Sequence, residues 1–169
     1  MAPAATPQLR LPLAYSLWFT WIDPALSLIG AYGGLLEPNL LLISYIPATI
    51  PNPAAADKPL PNPDAVVNPA HTMIFNQLAG FFILTFLLSA FMLRSTNDLT
   101  IWKFYQGAIS VVDIIILVAT GLEYSQQGRL VPLTWRPEDW FSVLVTAGCA
   151  ILRVSFVIGI GLDKKRKTN

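Results

Sequence analysis

Four apolar segments, about 15–36, 73–93, 101–122 and 140–162, each run for roughly 20 residues, the length at which a helix crosses a hydrocarbon core of about 30 Å. They predict an all-α chain: an integral membrane four-helix bundle with a long Pro-rich lumenal loop between helices 1 and 2. Composition agrees, since 54% of the 169 residues are hydrophobic, 12% are charged and mean hydropathy is +0.54. That length accommodates four spans and one substantial loop, so 1–169 reads as a single membrane domain.

Several function classes drop out early. The formal net charge is +1 and the basic residues do not gather with interleaved aromatics, so nucleic acid is not an expected partner. Cys149 is the single cysteine, lies in an apolar segment and reads as a small core residue. His71 is the single histidine and has no second His or Cys nearby, so no metal site is expected. Phosphate-binding glycine loops, nucleophile elbows and haem-attachment motifs are missing too, and no cofactor is predicted.

Orientation follows from the Lys and Arg residues beside the spans. Arg10, Arg94, Lys103, Lys164, Lys165, Arg166 and Lys167 fall on one side, against Lys58, Arg129 and Arg136 on the other, which predicts cytosolic termini. The Lys165-Arg166-Lys167-Thr168-Asn169 tail is similar to dilysine-type retrieval signals and points to the endoplasmic reticulum. A cleaved signal peptide is not expected, because the first segment is too long and contains Asp23 and Pro24. Between the first two spans, 38–72 holds eight of the fourteen prolines and reads as a non-helical loop or lid whose 40–46 run dips into the interface or caps the bundle. Gly30 to Gly34 and Gly159 to Gly161 read as close helix packing.

Charge inside an apolar segment is costly and normally faces a bundle interior. Asp23, Asp113 and Arg153 each fall roughly 14 to 18 Å from the cytosolic helix ends, so they share one plane at mid-membrane. Each sits on a polar face with helical spacing: Ser16, Thr20, Asp23, Ser27, Gly30 and Gly34 in the first span, Gln106, Ser110, Asp113, Thr120 and Tyr124 in the third, Ser142, Thr146, Cys149 and Arg153 in the fourth. The second span offers Asn76, Gln77 and Gly80 and otherwise forms a wall. Two carboxylates against one guanidinium leave a spare acid, for which Asp113 is the first choice; a kink at Pro24 would free backbone groups able to bind Asp23. The plainer alternative is that Arg153 neutralises one aspartate and the polar faces are interhelical glue.

A second group, Glu37, His71, Asn76, Gln77, Glu123, Tyr124, Glu138 and Asp139, clusters at the lumenal mouth, where most helix-end charges are simply solvated. Glu123 and Glu37 are reserve acids there. Trp18, Trp21, Asn76, Gln77, Tyr105, Tyr124 and Glu37 are the candidate substrate contacts, while Trp102 and Trp140 fit an interfacial belt.

Finally, Leu93-Arg94-Ser95-Thr96-Asn97-Asp98-Leu99 with Trp102, the Trp21-Ile22-Asp23-Pro24 element, and Leu152-Arg153 through Phe156 to Gly159-Ile160-Gly161 resemble the small four-span membrane proteins of filamentous fungi. That family is similar to hydrolases that open epoxides in secondary-metabolite pathways to polyene pyrones such as aurovertin, citreoviridin and asteltoxin. The resemblance implies an epoxide hydrolase or cyclase acting on an apolar polyketide, with Asp113 and Asp23 dividing acid and base roles and Arg153 keeping one carboxylate charged. Many members of that family carry a histidine shortly after the third-span aspartate, whereas Ile114 to Leu117 supply none here. Two other classes stay open: a sterol or isoprenoid isomerase or terpene cyclase, and a non-catalytic lipid-binding protein. The expected partners are an apolar small molecule and the bilayer, and a homo-oligomer is compatible with the sequence.

Overall fold

Proline placement explains much of the layout. Pro38, Pro69, Pro132 and Pro137 each open a helix, where proline's missing N–H is no loss and its fixed φ is already helical. The computed structural model describes residues 11–45, 67–126 and 128–162. Among these there is no strand. Helix α1 covers 13–35 with a π-helical turn at Trp18–Ile22, and α2 is Pro38–Tyr45. A short 3-10 turn, Pro69–His71, leads into α3, which covers 72–95 with its own π turn at Leu88–Met92. Helices α4 and α5 are Leu99–Gln126 and Pro137–Ile158.

Three of these, Pro69–Ser95, Leu99–Gln126 and Pro137–Ile158, are long and apolar enough to cross a membrane. The fourth expected span, α1, matches them in length but carries Asp23, Pro24 and several hydroxyl and aromatic residues, and is not one of the three. It still completes the bundle. The outward faces are apolar, with Ile29, Phe91, Phe104, Ile115, Leu144 and Ile151 all exposed, as lipid-facing residues are. This is a helical membrane protein.

The helices run up, down, up and down. Helix α1 packs chiefly on α3, and α4 on α5. Close approach of the first pair depends on two glycines: a Cβ on Gly34 would lie 2.8 Å from Ala79 Cβ, and one on Gly30 2.8 Å from Phe82. At the end of the bundle where α1 starts and α5 stops, Tyr15, Phe19, Leu93, Trp102, Tyr105 and Phe156 form an aromatic core. Tyr15 Oη also donates to the Ile160 carbonyl at 3.0 Å, tying α1 to the end of α5.

Three readings need correction. The 38–72 stretch is not uniformly non-helical: Pro38–Tyr45 is a helix resting on α1 and α5, because Pro38 starts a turn that Asn39 to Ser44 continue. Helix α5 ends at Ile158 rather than near Leu162, since Gly159 and Gly161 adopt φ of 88° and 72°, values that stop a helix, and so serve termination rather than packing. Trp102 is buried in the core, with its indole N–H on the Thr96 carbonyl at 3.2 Å, instead of in an interfacial belt. Pro24 lies within α1 directly after its π turn. The prolines at 51, 53, 59, 61 and 63, Arg10, Lys58 and the basic tail lie outside the described residues.

Candidate functional site

The three charged residues named from depth alone come together. Asp23 follows the π turn of α1, Asp113 lies midway along α4, and Arg153 lies in α5. Arg153 Nη2 donates to Asp23 Oδ1, its Nη1 to Asp113 Oδ2, and its Nε to Gln106 Oε1 at 3.2 Å. Relative exposure is 3% for Arg153, 4% for Asp23, 7% for Asp113 and 0% for Gln106. A charge this deep persists only when paired and hydrogen-bonded, and the planar guanidinium fork can serve three acceptors at once. One positive charge faces two carboxylates, so a single proton on the pair would make the trio neutral. Asp23 Oδ2 and Gln106 Nε2 are buried without a hydrogen-bond partner among the described residues.

The trio closes one end of a cavity of about 160 Å³. Ser27 and Thr85 lie in its wall with Phe81, Phe82 and Cys149, and Tyr45 of α2 stands at the other end. Three of the polar faces seen in the sequence do turn inward: Thr20, Asp23 and Ser27, then Gln106, Ser110 and Asp113, then Cys149 and Arg153 are all buried. The second span is the expected wall, although its Ser89 is buried and shares a 2.7 Å hydrogen bond with Tyr105 Oη.

The substrate-contact candidates do not gather here. Asn76, Gln77 and Glu37 are exposed and do not line the cavity, because they lie on outward faces near the helix ends. Trp21 is 63% exposed and carries Arg94 over its ring at 4.3 Å, near the opposite end of the bundle. Trp18 packs on the aromatic core. Tyr105 is committed to Ser89 and to the Thr85 carbonyl at 3.1 Å. Glu123 is exposed and lines a neighbouring groove with Thr120, Tyr124 and Tyr45 rather than the cavity itself.

Asp139, unlike a solvated helix-end charge, is 1% exposed. It binds Arg129 and Arg136, accepts from the Arg136 backbone N–H at 2.9 Å, and thereby caps α5. Arg129 lies over Tyr124, whose ring meets Trp135 edge-on at 5.3 Å. This second cluster fastens the α4–α5 connection. The sequence places Gln106 on the inward polar face and Tyr45 in a run that dips into the interface or caps the bundle, but gives neither a role at the site. Gln106 lies seven residues and two helical turns before Asp113 on the same face; for Tyr45 the apolar 40–46 run is the signal, and the surrounding prolines hide that it is helical.

A family model covers residues 8–163, nearly the whole bundle including all three residues of the trio. The chain belongs to the DUF7704 family, a domain of unknown function. Comparison with curated proteins and with solved structures gives no match. The DUF7704 match carries no activity of its own.

Proposed function

We propose that this DUF7704 protein is a membrane-embedded acid–base enzyme that opens an epoxide on an apolar, polyketide-type substrate, as a hydrolase or cyclase of secondary metabolism. The observation that carries this reading is the pairing of two carboxylates from different helices with one guanidinium at a small, mostly apolar cavity. Epoxide opening needs one carboxyl that holds a proton and one that does not, and a shared cation between two acids keeps both forms within reach. The protonated carboxyl, Asp113 as first choice, passes its proton to the epoxide oxygen as that C–O bond breaks. A water or substrate hydroxyl forms the new C–O bond from the opposite face, and its proton passes to the ionised partner, Asp23. Proton count is restored after each turnover.

The distribution of Lys and Arg supports cytosolic termini, and the Lys165-Arg166-Lys167-Thr168-Asn169 tail supports the endoplasmic reticulum membrane. The decisive experiment replaces Asp113 by Asn and follows turnover of a polyepoxide in microsomes. Loss of diol or cyclic ether with normal protein levels supports the reading; unchanged turnover removes Asp113 from the chemistry. A purely structural trio predicts that neutralising both aspartates alters assembly alone.

A further inference from the structure

The cavity at the trio is small. At about 160 Å³ it compares with an engineered protein cavity of about 150 Å³ that takes benzene. A group of that size fits and the rest of any larger substrate must lie elsewhere. A groove of about 620 Å³ opens directly beside it, between α1, α2 and α5. Leu26, Tyr45, Ser142, Val145 and Thr146 line both spaces, so cavity and groove meet along one seam. Beyond the seam the groove is walled by Ile29, Leu41 and Phe141, and follows α5 from Thr146 to Pro137, roughly 13 Å of helix. Ile29 and Phe141 are 68% and 66% exposed, on a face where lipid is the solvent.

We infer that this groove holds the long, linear apolar chain of the substrate whose compact oxygenated head occupies the cavity, a reading that rests on the proposed acid–base function of the trio. Continuity decides the occupant: a chain in the groove leads its head past Tyr45 to Asp113 and Arg153 without crossing water. A rigid fused-ring substrate has no narrow head to enter a benzene-sized space, so the geometry selects a flexible amphiphile that slides in from the bilayer. Ser142 and Thr146 supply the polar atoms at the seam, where head and tail would join.

The test uses full-length protein in phospholipid nanodiscs and a terminal epoxide on a long alkyl chain that carries a diazirine at its far end. After photolysis, labels on Ile29, Leu41 or Phe141, displaced by excess unlabelled long-chain epoxide, support the inference. Equal labelling of the outward residues Ile115 and Val118, or labelling that the competitor does not displace, overturns it. Ile29→Trp should lower labelling by the long probe roughly tenfold while a short-chain epoxide diazirine still labels the cavity; Phe141→Trp is the second variant should the first lose helical content. Labelling does not depend on turnover. Groove labels that persist in Asp113→Asn alongside unchanged turnover would leave chain binding standing and remove the catalytic reading, and the converse pattern would do the reverse.

Discussion

The Arg94 guanidinium donates to the Thr20 carbonyl, which lies four residues before Pro24 and has no proline N–H to receive. The same guanidinium stacks over Trp21 at 4.3 Å. A helix interior that contains proline is thereby held by a side chain from the neighbouring α3. Asp23, next to Pro24, stays available to Arg153.

Arg94→Ala should lower stability by about 1 kcal/mol, the combined order of one charged hydrogen bond and one exposed cation–π contact. Pro24→Ala restores a backbone N–H and should shrink that loss. Thermal unfolding of both single variants and the double variant in detergent checks the coupling; strictly additive effects would separate Arg94 from the proline.

Removing Arg153 leaves two buried carboxylates facing each other. Arg153→Leu should cost about 3 kcal/mol or more, because an uncompensated buried charge is worse than no charge. Adding Asp23→Asn and Asp113→Asn to it should recover most of the loss. Unfolding in mixed micelles, followed by circular dichroism, measures this; a triple variant no more stable than the single one would argue against electrostatic balance in the trio.

Gly34 and Gly80 separate packing from helix propensity. Gly34→Leu should cost about 1 to 3 kcal/mol, since its Cβ alone would stand 2.8 Å from Ala79 Cβ and 2.9 Å from the Phe75 carbonyl oxygen. Gly80→Ala meets nothing within 4 Å and should be neutral or stabilise by up to about 1 kcal/mol. Parallel melting curves test the contrast, which fails if the two substitutions behave alike.

Asp139→Asn weakens the clasp formed with Arg129 and Arg136. Stability should fall by about 2 kcal/mol, as for a buried charged hydrogen-bond network. Turnover of a short-chain epoxide at a temperature where the variant stays folded should match the parent, because this cluster lies apart from the cavity. A large drop in rate without loss of fold would make Asp139 part of the working site.

Periodicity carries a long way in a chain like this. Helical spacing of Asp23, Asp113 and Arg153, with their depth along apolar segments, predicted their meeting, because helix rise and bilayer thickness leave few other solutions. The same reasoning overreached at the helix ends. Glu37, Asn76 and Gln77 read as a polar mouth but are exposed, since each residue along a helix turns the side chain by about 100° and Glu37 lies in the link between α1 and α2. Asp139 went the other way, its burial depending on Arg129 across the α4–α5 connection. Pro38 read as a breaker, yet proline at a first helical position is an initiator, and Tyr45 reached the cavity by that route.

The sequence by itself determined the helical class, the places where helices cross, and which polar faces must turn inward, because apolar runs of spanning length and a 3.6-residue repeat follow from composition and backbone geometry alone. Tertiary structure decided that Arg153 serves both aspartates and Gln106 together, that Arg94 takes the carbonyl Pro24 leaves unserved, and that Tyr45 divides a small cavity from a long groove. Those outcomes depend on rotation and approach of separate helices, quantities that local sequence does not encode and that only the mutual packing of all four supplies.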